Sequence, residues 1–148
     1  MIRKATRADW PRISEIRLAV QENRLSNPAS IASVGIASVG PAADWLFDNS
    51  TFWVWEEDGA IQGFSAGDPR DGSIFALFVH PSYERRGIGR ALLPLACEDL
   101  RASGYATAKL TTASATRAER FYRMDGWVEM GRQGDGQIVF QKRLLKSK

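Results

Sequence analysis

A chain of 148 residues, 44% hydrophobic and 25% charged, has the size and make-up of one globular domain and is too short for two ordinary ones. A net charge of +3, a single His80 and a single Cys97 argue against a nucleic-acid-binding surface, a His/Cys metal cluster and an internal disulfide. No stretch approaches the roughly 18 apolar residues of a membrane span, and Met1-Ile2-Arg3-Lys4 runs straight into mixed polar sequence rather than a signal peptide. The expectation is a single domain over residues 1–148, soluble and cytoplasmic, with no metal and with no nucleic-acid or membrane partner. Cys97 stands amid Leu92, Leu93, Leu95 and Leu100 and reads as a packed thiol rather than a nucleophile.

Ile2 to Thr6 reads as a first strand. Asp9 is a candidate N-cap with Pro11 just inside a first helix, whose apolar positions Ile13, Ile16 and Val20, with Leu18 and Ala19 beside them, keep helical spacing until Asn27-Pro28. Residues 31–40 read Ile-Ala-Ser-Val-Gly twice in tandem, too short a unit for a solenoid and too Gly-punctuated to assign to helix or strand. Pro41 to Asp48 reads as a short second helix. Thr51 to Glu57 and Ala60 to Gly67 flank Asp58-Gly59, a strong hairpin signal. Trp53 and Trp55 share one strand face, a pattern of sheet packing more than of a stacking platform. Ser73 to Val79 is apolar and predicts a central strand buried on both faces. Gly87 to Ser103 follows as a helix with Ile88, Leu92, Leu95, Ala96 and Leu100 inward, and Pro94 within it predicts a kink. Thr107 to Thr112 is a fifth strand. Thr116 and Glu119 have capping-box spacing for a short helix that carries Phe121 and Tyr122 and ends at Gly126. Trp127 to Met130 and Gln137 to Leu144 form a last hairpin. The order β-α-α-β-β-β-α-β-α-β-β predicts an α+β fold with a mixed sheet.

A buried strand, a Gly-containing turn and a helix start aim several unpaired N–H groups at one point, with the positive end of the helix dipole behind them. Gly87 and Gly89 permit close approach, and Arg85, Arg86 and Arg90 add charge, so Arg85 to Arg90 is a candidate phosphate cradle. The other reading is that the glycines only relieve packing between strand and helix. No Gly-Lys-Ser/Thr triplet follows, and Leu92 stands where a dinucleotide fingerprint needs its third glycine, so neither of those phosphate sites is present.

With the strand Leu77-Phe78-Val79-His80-Pro81, the segment Arg85-Arg86-Gly87-Ile88-Gly89-Arg90-Ala91-Leu92-Leu93 and the later Arg117-Ala118-Glu119-Arg120-Phe121-Tyr122-Arg123-Met124-Asp125-Gly126-Trp127, nearly the whole chain resembles the GNAT superfamily of acetyl-CoA-dependent N-acetyltransferases. The resemblance implies a mostly antiparallel mixed sheet flanked by helices. It implies that Leu77, Phe78 and Val79 face the thioester and pantetheine arm of acetyl-CoA, and that Arg85, Arg86, Gly87, Ile88, Gly89 and Arg90 wrap its pyrophosphate. It also implies transfer of the acetyl group to a primary amine of a small molecule or protein, with the Leu77 N–H as oxyanion donor and Tyr122 as general acid. A phenol of pKa about 10 keeps its proton at neutral pH and can donate it to the departing thiolate.

Glu84 departs from the family motif, where Gln or Arg is usual, and is expected to point outward. Ala115 stands where Asn often contacts the pantetheine arm, a contact that Ser114 or Thr116 would have to replace. Ser73 stands where some members carry a Glu base, which leaves water as the base. Glu22 and Asn23, at the end of the first helix, are the candidate acceptor-contacting residues, with Asp71 a weaker candidate. The resemblance further implies pairing of two copies into a homodimer. The alternative function is a non-catalytic acyl-CoA-binding or sensing module with a decayed acceptor site.

Overall fold

The computed structural model describes residues 1–25, 45–49, 51–134 and 136–144, without the side chains of 21–25. The tandem repeat at 31–40, the Asn27-Pro28 stop and the first half of the second expected helix lie outside the described residues; within the latter, 45–48 is helical. The strands are β1 (Ile2–Lys4), β2 (Phe52–Glu57), β3 (Ala60–Asp68), β4 (Ser73–Val79), β5 (Thr107–Ala113), β6 (Val128–Arg132) and β7 (Gln137–Arg143), and the helices are α1 (Trp10–Leu25), α2 (Ile88–Ala102) and α3 (Arg117–Met124). The strands form one sheet in the order β1-β2-β3-β4-β5-β7-β6. Every neighbouring pair is antiparallel except β4 and β5, so the sheet is mixed and mostly antiparallel, as expected. No helix among the described residues is long and apolar enough to cross a membrane.

Asp9 is not the cap of α1. It closes a short 3-10 turn, Arg7–Asp9, and its carboxylate accepts the Thr6 N–H at 2.8 Å. The same carboxylate takes two N–H groups of Arg3, at 2.9 and 3.0 Å, while the Arg3 Nε donates to Glu56 at 2.8 Å. One guanidinium thus ties β1, the entry to α1 and β2 together, and its hydrogen bonds hold the Asp9 carboxyl below the usual carboxylate range. Along α1, Ile13 and Ile16 are buried, but Leu18 is exposed because it falls off their stripe.

The sheet carries a separate core on each side. Ile13 and Ile16 of α1 meet Phe52, Val54, Ile61, Phe64, Ala66 and Ala76 on one face. Leu93, Ala96 and Leu100 of α2 join Ile74, Leu110, Tyr122, Trp127, Ile138 and Phe140 in the other cluster. The register between β3 and β4 steps from Ala66↔Ala76 to Gly67↔Ile74, which leaves Phe75 as the extra residue of a bulge on β4. That bulge explains why Phe75 and Ala76, though adjacent, both pack on the α1 side. Only Ile74 and Ala76 of β4 are buried, so the strand is central but not buried on both faces throughout; Leu77, Phe78 and Val79 are half-buried because they line a cleft.

Helix α2 runs through Pro94 without interruption; Pro94 lies on its exposed side, away from the packed face. Cys97 is partly buried against the second core, and burial pushes its thiol up to about 11, which agrees with a packed, unreactive cysteine. Trp53 donates its indole N–H to Asp99 of α2 at 2.9 Å, and the Lys4 ammonium lies 4.2 Å from its ring centroid, so this tryptophan holds helix to sheet.

The seat of α2 on β3 is made of small residues. A Cβ added at Gly63 would lie 2.9 Å from Ile88 Cγ2, and one at Gly67 only 2.8 Å from the Ala96 carbonyl oxygen. Ser65 between them is fully buried and donates its hydroxyl to the Leu92 carbonyl at 3.0 Å. Gly67→Ala forces a methyl against backbone, so it is expected to destabilise the protein by about 1–3 kcal/mol. Urea unfolding measures this, and an unchanged midpoint would mean that α2 does not approach β3 this closely.

Candidate active site

Strands β4 and β5 share a single register pair, Ser73↔Lys109, beside which the Lys109 N–H reaches the Gly72 carbonyl at 3.1 Å. Beyond that point the two parallel strands separate. The His80 N–H donates to the Gln62 carbonyl at 2.9 Å, and the register pairs Phe78 with Phe64 and Val79 with Gly63. Hydrogen-bonded and non-bonded pairs alternate along an antiparallel ladder, so Phe78 directs its main-chain polar groups at β3. Leu77 and Val79 direct theirs the other way, into the gap left by β5.

That gap opens into a cleft of about 730 Å³. One wall is Leu77, Phe78 and Val79 with the turn and helix start Tyr83, Glu84, Arg85, Gly87, Ile88, Gly89 and Arg90. The other is the start of α3 with Phe121 and Tyr122, and Val20 of α1 reaches in from the side. Of the residues expected at a cofactor site, all but Arg86 line this cleft. The Arg86 guanidinium instead stacks 5.3 Å from the Tyr83 ring centroid. The acceptor candidates Glu22 and Asn23 belong to the last turns of α1, and their side chains lie outside the described residues.

Before the helix, Pro81–Tyr83 forms a 3-10 turn capped by His80, whose Nδ1 accepts the Ser82 N–H at 3.0 Å. Arg85 and Gly87 both have positive φ, +67° and +84°, and Gly87 is the N-cap of α2. The left-handed backbone explains Gly87. It does not explain Gly89, and neither does packing: a Cβ there would make only ordinary contacts, 3.8 Å from Phe121 Cζ and from Val79 Cγ2. Relief of crowding between strand and helix therefore accounts for neither glycine. The bare Gly89 leaves open the space between β4 and α3, at the positive end of α2.

Glu84 does not point outward. It lines the cleft and accepts a hydrogen bond from Arg117 Nη1, across the gap. Arg117 and Arg120 were not singled out from the sequence, although three-residue spacing on a helix puts both on one side of α3. With Arg85 and Arg90 they bring four arginines to the cleft, against Glu84 as the one carboxylate among its described lining residues.

The α3 cap forms as its spacing predicts, with one shift. The Thr116 hydroxyl accepts the Glu119 N–H at 3.2 Å and donates to the Ala113 carbonyl at 2.8 Å, while the Glu119 carboxylate accepts the N–H of Ala115 rather than that of Thr116. The Thr116 hydroxyl is thus engaged in the cap, and Ser114 does not line the cleft. Tyr122 is buried with its ring edge-on to Phe121 and Trp127, at centroid distances of 5.2 and 5.8 Å. Ser73 and Asp71 are not among the residues that line the cleft; the Ser73 hydroxyl donates to Asp71 at 2.6 Å in the turn that leads into β4.

A splayed pair of parallel strands and a glycine-bearing turn that opens a helix thus put main-chain groups and a helix N-terminus into one cleft, with Tyr122 in its opposite wall. The acetyltransferase (GNAT) family model matches residues 10–127, and the chain belongs to that family. The peptidyl-lysine N-acetyltransferase YiaC of Escherichia coli (strain K12) is 37% identical over 94 residues, 63% of this chain and 62% of that protein. The matched region thus spans under two thirds of this curated relative. Among solved structures, the PaiA N-acetyltransferase of Thermoplasma acidophilum, in complex with coenzyme A, superposes with a TM-score of 0.75 at 17% identity, over 97% of this chain and 98% of the other. A GCN5-related N-acetyltransferase of Rhodopseudomonas palustris gives 0.77 at 20% identity, over 97% and 95%. At these identities the structures speak for the fold.

Ala115 has φ +60° and is exposed at the lip of the cleft. A left-handed alanine costs about 1–2 kcal/mol, which asparagine tolerates better. Ala115→Asn is therefore expected to raise stability by about 0.5–1 kcal/mol, read from the thermal midpoint; a lowered midpoint would show that the strain is not there.

Proposed function

We propose that this protein transfers the acetyl group of acetyl-CoA to a primary amine by direct attack on the thioester, with Tyr122 as general acid. The observation that carries this reading is Gly89, a bare position in a helix N-terminus, explained by neither backbone conformation nor crowding, beneath a cleft lined by four arginines. Acetyl-CoA supplies the activated acetyl group; the chain's residues supply orientation and charge.

The N–H groups at the start of α2, with Arg85 and Arg90, hold the pyrophosphate. The Leu77 and Val79 main chain, turned from β3 into the gap, pairs with the pantetheine amides as a missing neighbouring strand would. The Leu77 N–H is the donor to the oxyanion that forms as the amine attacks. Tyr122, wedged between Phe121 and Trp127, delivers its phenolic proton to the sulfur of the leaving thiolate and regains one from the proton that the attacking nitrogen sheds as it becomes an amide. The described cleft lining offers no base other than Glu84, which is committed to Arg117, so water takes the proton of the ammonium. The similarity to a peptidyl-lysine N-acetyltransferase makes lysine-containing peptides the first acceptors to try.

Calorimetric titration with acetyl-CoA, dephospho-CoA and adenosine diphosphate tests the cradle. Micromolar acetyl-CoA binding is expected, and Gly89→Glu is expected to abolish it with the fold intact; no binding by any of the three ligands would end the enzyme reading. Tyr122→Phe is expected to lower kcat at least tenfold and leave acetyl-CoA affinity within twofold. An unchanged kcat, with chemistry rate-limiting, would remove Tyr122 from its role. Binding of acetyl-CoA without turnover of any amine would instead favour the sensing module.

A further inference from the structure

A carboxylate in an arginine-lined, anion-binding cleft needs an explanation of its own. Glu84 stands on the lip that follows β4, and Arg117 stands on the opposite lip, at the first position of α3. They are 33 positions apart, and their ion pair bridges the opening. Both side chains stay partly exposed, 32% and 50%, and a pair so exposed adds little to the stability of a fold. The contact engages Arg117 through Nη1 and leaves the Nη2 and Nε donors of the same planar fork outside it. No ion pair joins Arg85, Arg90 or Arg120 to a carboxylate among the described residues, so Arg117 is the one cleft arginine that is held in place.

We propose that Glu84 is a positioning residue that holds Arg117 across the cleft, so that the remaining N–H groups of this guanidinium contact the phosphates of the acetyl donor. The inference rests on the acetyl-CoA reading and adds Arg117 to the binding residues. A flexible arginine loses rotamer freedom when it grips an anion, and a carboxylate that has already fixed the side chain lowers that loss. Glu84 then repels the phosphates less than it helps, because its charge is shared with the cation it holds. Simple electrostatics and positioning differ in sign here: removal of a negative charge from an anion site tightens binding, whereas removal of a positioning group weakens it.

Calorimetric Kd values for acetyl-CoA in wild type, Arg117→Gln, Glu84→Gln and the double variant test this, with thermal midpoints to verify folding. Arg101→Gln, which breaks an exposed pair with Glu98 on α2 outside the cleft, is the control for a general loss of positive charge. Arg117→Gln is expected to weaken binding at least fivefold and Glu84→Gln two- to threefold. The double variant should be no weaker than Arg117→Gln, since Glu84 then has nothing to hold, and Arg101→Gln should match wild type. Tighter binding in Glu84→Gln, additive losses in the double variant, or an Arg117→Gln value within twofold of wild type would overturn the proposal. A wild type that does not bind acetyl-CoA brings down the functional reading and this inference with it; a wild type that binds while the variants do not respond brings down the inference alone.

Discussion

Helix α2 sits where it does because β3 presents almost no side chains to it. On the face toward α2 the strand reads Gly63, Ser65, Gly67, and the two glycines lie so close to Ile88, Leu92, Ala96 and Leu100 that a methyl would collide. Side chains of ordinary size would lift the helix from the sheet, and close-packed interiors transmit such a shift instead of absorbing it. The Ser65 hydroxyl, bonded to the Leu92 carbonyl, fixes the helix along its own axis. The position of Gly87, Ile88 and Gly89 relative to the end of β4 follows from this seat, and so does the direction in which the helix N–H groups point.

The second constraint is the single pair that joins β4 to β5. Interior strands ordinarily satisfy their main-chain groups on both sides, and buried unpaired ones are costly. Here the exception is tolerable because Leu77 and Val79 are half-buried and face an open cleft, where solvent reaches their main chain. Phe52, Val54 and Phe64 pack with α1 on one side, while Leu110, Ile138 and Phe140 of β5 and β7 pack with α2 and α3 on the other. Helix α2 is seated on β3 and also packs against β5 and β7, so it keeps the two halves of the sheet together where the strands part. The main chain freed at Leu77 and Val79 becomes an internal sheet edge, suited to an extended ligand that carries amide groups.

The strands, the Asp58-Gly59 hairpin, the Gly87 turn into α2 and the α3 cap are legible in the sequence because each is set by neighbours a few residues apart. The tandem segment at 31–40 gave no such signal and lies outside the described residues. What sequence reasoning missed depended on residues distant in the chain. Glu84 was expected outward, and Arg117, 33 positions later, draws it inward. Arg86 was grouped with its neighbours, but the left-handed Arg85 turns the chain, and Tyr83 offers the guanidinium a ring face. Asp9 looked like a helix cap, yet Arg3 and the Thr6 N–H claim its carboxylate one turn earlier.

The cleft lining is chemically mixed, and under the proposed acetyl transfer this bears on how two substrates of opposite charge share it. Arg85, Arg90, Arg117 and Arg120 line it together with the N-terminus of α2, and Val20, Leu77, Phe78, Phe121 and Met124 add apolar surface to the same lining. In the proposed function the polyanion is held by these arginines and the start of α2. A primary amine in water is an ammonium, which the same arginines repel, so under that proposal it sheds its proton to water before it attacks. Desolvation against an apolar wall favours the neutral amine by lowering its pKa, and the neutral amine is the form that attacks. On this reading, the arginines that hold the donor also disfavour the charged form of the acceptor, and a dedicated side-chain base is not needed.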